Sequence, residues 1–276
     1  MKHFRTILTT AAALLVGLCL LVAPGYAQVR PSIAGLQTQI TTLQSQVASG
    51  TIPNVAGYVT MDISTPSRPQ LRVSGANLQV VNGTGSSSTP NGLGNLIVGY
   101  DEVRPAGTSA ECSLGEFTSV TGCFVGGGLW LVDHKSGSHN VVIGPWHNYS
   151  QTGGQAVGSF NTINGNHAFA AGRENVASGT AASVTGGQGN TAFANYSSVS
   201  AGQGNTASAQ YSSVSGGLEN TASDAYSSVS AGQANTASGD FSSVSGGEGN
   251  TASGGWSSIS GGNFITVSTD HGWDSQ

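Results

Sequence analysis

A fifteen-residue unit limits what this chain can fold into. It is written in full four times from Tyr196, where it reads YSSVSAGQGNTASAQ, and a shorter copy, WSSISGG, begins at Trp256. Asparagines recur on one phase of this period and β-branched residues on another. These two columns are Asn175, Asn190, Asn205, Asn220, Asn235 and Asn250, and Val184, Val199, Val214, Val229, Val244 and Ile259. Such fixed-period self-similarity is typical of a stacked repeat.

Each repeat is predicted to be one coil of a narrow two-sided β-solenoid. Its glycines and short polar residues oppose helix, and its apolar residues lack a helical period. Two short strands remain. In the first, Val199 and Ala201 are expected to point inward, with Ser198 and Ser200 outward; in the second, Ala207 points inward. Successive coils would pair in register about 4.8 Å apart, which makes the fold class all-β.

The stacked columns carry the candidate sites. The asparagine column predicts an amide ladder in which each side chain bonds the one on the next coil, a structural role that we favour over a ligand site. A third column is aromatic. It consists of Tyr196, Tyr211, Tyr226, Phe241 and Trp256. Two interpretations of it stay open: rings stacked between coils, or a flat strip that binds sugars or a partner surface.

The first 27 residues predict export. Lys2 and Arg5 provide a basic start, residues 11–23 an apolar core, and residues 25–27 a small-residue cleavage site, as in a secretory signal peptide. The apolar run is too short for a standard transmembrane helix, and no second run follows. We therefore expect an extracellular, cell-surface or periplasmic protein without a transmembrane anchor in the mature chain.

The net charge and the cysteines of the mature chain limit which partners and metal sites are expected. Removing Lys2 and Arg5 with the signal leaves six basic against thirteen acidic residues, which argues against a nucleic-acid partner. Cys112 and Cys123 remain in the mature chain. In an exported protein they are expected to form a disulfide, with two free thiols as the alternative. Their surroundings do not match a zinc motif, so no metal site is predicted.

A short helix is predicted within residues 28–50. Its apolar residues alternate spacings of three and four, which indicates either an amphipathic helix on its own domain or an oligomerising coiled coil. They are Ile33, Leu36, Ile40, Leu43 and Val47. The segments that follow are a β cap and linker over 51–94 with strands near Tyr58 and Asn77, an irregular first coil with the cysteine insertion over 95–137, the repeat coils over 138–262, and a cap or tail over 263–276.

The asparagine phase becomes regular along the solenoid. Its spacing is thirteen residues from Asn148 to Asn161, fourteen from Asn161 to Asn175, and fifteen after that.

The pattern GxxNTASGxxSSVSGG, over about residues 138–262, resembles the head repeats of trimeric autotransporter adhesins, the YadA-like left-handed β-roll. This resemblance implies left-handed coils, a homotrimer, and adhesion to a glycan or extracellular-matrix ligand. The present repeat has fifteen residues instead of the usual fourteen, the helical segment precedes the head, and residues 263–276 lack the strands of a membrane anchor. Each coil offers little apolar surface for burial, which independently favours self-association.

No catalytic site or cofactor is predicted. The acidic residues of the repeats lie on different phases, and Asp133, His134 and His139 match no standard metal motif. We expect an adhesin-like structural or binding protein of bacterial origin that is not an enzyme. A polysaccharide-acting β-helix enzyme is a less favoured alternative. Ice binding is another alternative, based on a rank of hydroxyls at Thr191, Thr206, Thr221, Thr236 and Thr251.

Overall fold

The computed structural model describes residues 35, 37, 38, 40 and 41, residues 59–62, and residues 70–274 except 109, 116 and 118. The chain divides into two units, residues 1–78 and residues 79–276. The predicted signal peptide and most residues of the predicted helix seam lie outside the described residues.

In the first unit, the described residues of the predicted helix are helical, and the Thr41 hydroxyl donates to the Gln37 carbonyl at 2.8 Å. Strand β1 (Val59–Asp62) pairs antiparallel with β2 (Gln70–Val73).

The strand predicted near Asn77 is wrong, since residues 74–95 contain no strand. Within that stretch the Asn82 amide donates to the carbonyls of Ser86 and Thr89, which favours a loop held by its own side chain over an extended ladder.

The second unit is built on two parallel sheets. The eleven-stranded sheet contains, in spatial order, β3 (Leu96–Val98), β6 (Val141–Ile143), β8 (Gln155–Ser159), β10 (Phe169–Arg173), β12 (Ser183–Val184), β14 (Ser198–Val199), β16 (Ser213–Val214), β18 (Ser228–Val229), β20 (Ser243–Val244), β22 (Ser258–Ile259) and β24 (Trp273–Asp274). The nine-stranded sheet contains β7 (Asn148–Tyr149), β9 (Thr162–Ile163), β11 (Val176–Ala177), β13 (Thr191–Ala192), β15 (Thr206–Ala207), β17 (Thr221–Ala222), β19 (Thr236–Ala237), β21 (Thr251–Ala252) and β23 (Thr266–Val267).

Strands alternate between the two sheets along the chain, so each repeat makes one coil and pairs in register with the next. Val199, for example, pairs with Val214 in the eleven-stranded sheet, and Ala207 pairs with Ala222 in the nine-stranded sheet. The all-β solenoid of stacked coils is therefore confirmed. The first full coils advance by fourteen residues, as from Ala156 to Ala170, and the later ones by fifteen.

The core is a thin line of small apolar side chains. Val199 and Ala207 have no exposed surface, and their equivalents in the coils from Val142 to Ile259 are buried as well. The inward placement predicted for Ala201 is wrong, because Ala201 is exposed at the bend, and the second buried residue beside Val199 is Ser197, just before strand β14. Its buried hydroxyl donates to the Ala194 carbonyl at 2.7 Å, which satisfies the polar group locally.

An insertion carries a short α-helix, α1 (Val120–Val125), and a small antiparallel sheet of β4 (Glu111–Cys112) and β5 (Trp130–Leu131). The structure joins Cys112 to Cys123 by a disulfide with a Cα–Cα distance of 5.7 Å.

Each regular coil turns through residues with left-handed backbone. Tyr211 and Glu219 have φ values of 60° and 57°, and Gly217 has a φ of 94°. A Cβ on Gly217 would meet the carbonyl oxygen of Gly232 on the next coil, and the same contact recurs at Gly202 and Gly247. This column is limited to glycine by both its φ and its close approach to the neighbouring backbone.

Gly217→Ala is expected to lower the free energy of unfolding by about 3 kcal/mol, because the methyl group meets backbone in a strained conformation. Gly216→Ala is the matched control: its Cβ would have no neighbour closer than 4.0 Å, and its φ is not left-handed. Urea denaturation followed by circular dichroism measures both. Equal stability of the two variants would contradict the steric argument.

Candidate functional site

The asparagine column binds backbone rather than neighbouring amides. In one coil, Asn205 Oδ1 accepts from the Asn220 backbone N–H at 2.9 Å, while its Nδ2 donates to the Ala201 carbonyl at 3.1 Å and to the Gly217 carbonyl of the next coil at 2.9 Å. Among the described asparagines of this column, one amide-to-amide bond occurs, from Asn235 to Asn220. These amides are fully buried and use both polar atoms, so the geometry gives the column a structural role.

The ladder begins with a histidine. His147 Nδ1 accepts from the Asn161 backbone N–H at 3.2 Å, and its Nε2 donates to the Ile143 carbonyl four residues earlier at 3.1 Å. The ladder asparagines make the same two kinds of bond, so neutral imidazole replaces the amide. The predicted thirteen-residue spacing from Asn148 to Asn161 is therefore wrong. His147, not Asn148, occupies the ladder position, and the spacing to Asn161 is fourteen residues.

Burial holds the His147 imidazole in its neutral form. The side chain is 1% exposed, and loss of solvation lowers its pKa from 6.5. Below pH 6.5 the unfolded chain binds a proton that the folded chain resists, so this residue makes the fold less stable as the pH falls. Protonation would also break the bond that Nδ1 accepts from Asn161.

His147→Asn is expected to reduce the loss of stability between pH 8 and pH 5 while keeping the ladder, with a stability at pH 8 within about 1 kcal/mol of the native protein. His271→Asn, at an exposed imidazole, is the control. Denaturation midpoints across this pH range provide the measurement. An unchanged pH profile in His147→Asn would show that the imidazole is not the titrating group responsible.

The aromatic column forms one continuous stack. Consecutive rings from Tyr196 to Trp256 have centroids 4.7 to 5.2 Å apart and planes within 14° of parallel, and His271 extends the stack by one ring. The five aromatic side chains are 43 to 54% exposed. Each ring therefore covers the faces of its neighbours and presents its edge to solvent.

The aromatic residues occupy a backbone conformation that does not favour them. Each ring-bearing residue has a φ near 55 to 60°, in the left-handed region that suits glycine or asparagine. Stacked aromatic pairs contribute about 0.5–1.5 kcal/mol each beyond their burial, which offsets part of the backbone strain. A second column of left-handed residues, which includes Glu219, carries glycine in two coils, at Gly204 and Gly249. Glycine adopts this backbone conformation without strain.

Rows of serine and threonine hydroxyls lie on the outer faces of both sheets of the solenoid. On the nine-stranded sheet, Thr206 and Ser208 are half-exposed on either side of the buried Ala207. On the other sheet, the half-exposed Ser213 and the exposed Ser215 flank the buried Val214. The threonine rank lies on an outer face, and ice binding by it stays a prediction.

A buried arginine joins the insertion region to the solenoid. Arg104 donates to the carbonyls of Trp146, Phe160 and Asn161 and forms an ion pair with Glu111 at 3.5 Å. Its guanidinium thereby satisfies backbone carbonyls that would otherwise lack donors. The sequence contained no signal for this role, because the three carbonyls lie more than forty residues away from Arg104.

A second polar cluster surrounds Lys135. Its ammonium group donates to the Asp101 carboxylate at 3.0 Å, and the Tyr149 hydroxyl donates to the other carboxylate oxygen at 2.9 Å. Burial, together with the bond to Asp101, raises the pKa of Tyr149. The phenol therefore stays neutral and acts as a structural donor.

The residues considered for catalysis or metal binding are not brought together. His134 is buried, with its Nε2 2.8 Å from the Glu111 carbonyl, and Asp133 lies 3.8 Å from the Lys135 ammonium. Among the described residues, no cluster of three His, Cys, Asp or Glu side chains could hold a metal ion. No helix in the described parts of the chain is long and apolar enough to cross a membrane.

No family model, curated protein or solved structure matches this chain.

Proposed function

We propose that the chain is an exported, non-catalytic, adhesin-like protein that binds a partner through the aromatic column of its solenoid. The observation that carries the proposal is the exposed stack of five rings, one per coil, at positions where the backbone favours glycine. The resemblance of the repeats to adhesin heads supports the same function.

The geometry of the stack favours a macromolecular partner over a lone sugar. Sugar rings bind aromatic side chains through the ring faces, and in this column the faces from Tyr196 to Trp256 cover one another. What remains is a narrow ridge of ring edges with the phenol groups of Tyr196, Tyr211 and Tyr226 among them. A ridge that combines apolar edges and hydroxyls is suited to the aromatic-rich core of a protein interface.

Substituting two adjacent rings tests this surface. Tyr211→Ser with Tyr226→Ser is expected to weaken binding to an extracellular-matrix protein array at least about tenfold, because buried aromatic anchors dominate interface energies. Glu219→Ser with Ala234→Ser, at the second left-handed column of the same coils, is the control. Binding that survives loss of the two rings would place the partner elsewhere on the molecule.

We also propose that the mature protein is a homotrimer, with self-association through the predicted helix in residues 28–50. The thin core of the coils, with one Val and one Ala fully buried in each regular coil, supports this proposal because little apolar surface is buried within one chain.

Multi-angle light scattering of the purified mature protein is expected to give three times the chain mass. The Tyr211→Ser, Tyr226→Ser variant is expected to keep that mass, since its rings face the external partner. A monomer mass for the native protein would refute the trimer, and a monomer mass for the variant alone would reassign the column to self-association.

A further inference from the structure

A cavity of about 480 Å³ lies between the disulfide insertion and the solenoid surface. Leu114 of the insertion lines it together with Phe193, which follows strand β13. Most of its other lining residues carry amide or hydroxyl groups, and none of the lining residues is charged. The volume lies within the range of small-molecule sites.

One side of the cavity is a column of neutral polar side chains, one from each of four consecutive coils: Asn166, Thr180, Asn195 and Gln210. Asn195 Oδ1 accepts from the Thr180 backbone N–H at 2.8 Å, and Asn166 Oδ1 accepts from Thr152 Oγ1 at 3.1 Å. Within the described part of the chain, no hydrogen bond uses the amide nitrogens of Asn166 and Asn195 or the side chain of Gln210. These three residues are exposed, so their free donors and acceptors are open to solvent and to a ligand.

This polar column is confined to the coils beside the cavity. In the next three coils the same position is held by Ala225, Asp240 and Gly255, so the amides do not continue along the solenoid.

Phe193 also departs from the repeat at this place. The equivalent position is serine in the later coils, at Ser208, Ser223, Ser238 and Ser253. Phe193 is half-buried on the outer face of the nine-stranded sheet, where the repeat otherwise presents hydroxyls. Packing against Leu114 would explain an apolar residue, but it would not require the unpaired amides beside it.

We propose that this cavity binds a neutral saccharide. Neutral amides and a hydroxyl match the hydroxyl groups of a sugar, and an aromatic side chain provides an apolar wall against its C–H groups. An anionic ligand would lack a cationic partner among the lining residues. This site goes beyond the proposed function, because it shares no residue with the aromatic column.

Calorimetric titration of the mature protein with maltotriose, cellotriose, chitotriose and mannotriose tests the proposal, with trigalacturonate as the anionic comparison. At least one neutral trisaccharide is expected to bind with a Kd below about 10 mM and more tightly than trigalacturonate. Phe193→Ser, which restores the repeat, is expected to weaken that binding at least about tenfold, and Gln210→Ala about threefold. Gln233→Ala, at an exposed amide that does not line the cavity, is the matched control and is expected to bind normally.

Three results would overturn the proposal: no neutral trisaccharide binding in this range, tighter binding of trigalacturonate, or undiminished binding by Phe193→Ser with an unchanged melting temperature. If the Tyr211→Ser, Tyr226→Ser variant loses saccharide binding while Phe193→Ser keeps it, the cavity is refuted and the aromatic column is supported instead. If Phe193→Ser loses saccharide binding while matrix-protein binding is independent of the two tyrosines, the cavity stands and the proposed function of the column fails.

Discussion

Hydrogen bonding between successive coils is the interaction on which the solenoid depends. Each coil buries little more than a valine and an alanine, so apolar contacts alone cannot order fifteen residues. The backbone ladders of the two sheets supply regular bonds, and the asparagine of each turn bonds the N–H and carbonyl groups that the short strands leave free. A buried side chain thus extends the ladder through a turn, where the backbone cannot pair with itself.

The same stacking sets which positions can vary. The column of Gly217 touches the next coil through its backbone, so no side chain fits there. The columns of Tyr211 and Glu219 share the left-handed backbone but project outward, so they accept rings, acids, alanine or glycine. Stacked rings offset the strain at one column and expose a ridge. The solenoid therefore combines a uniform interior with a variable outer surface.

The insertion introduces irregularity at one end of the regular array. The disulfide constrains it, and Arg104 attaches the neighbouring segment to the early coils by donating to their carbonyls. Buried charge is tolerated there because carbonyls and Glu111 surround the guanidinium. Where Leu114 approaches the coils without filling the space beside Phe193, a cavity remains. The two proposed binding surfaces thus arise differently, one from repetition and the other from its interruption.

The repeat by itself determined the stacked all-β coils, the inward valines and the asparagine and aromatic columns, because a fixed period places equivalent residues above one another. The spacing of the cysteines, together with the predicted export of the chain, was also sufficient to predict the pairing of Cys112 with Cys123. Tertiary structure decided what periodicity cannot encode. The path of the backbone at the turns buries Ser197 and exposes Ala201. The two ring nitrogens of His147 make the same kinds of hydrogen bond as an asparagine amide, although the residue type differs. The contacts of Arg104 and the cavity beside Phe193 depend on segments that are distant in sequence, and only folding brings those segments together.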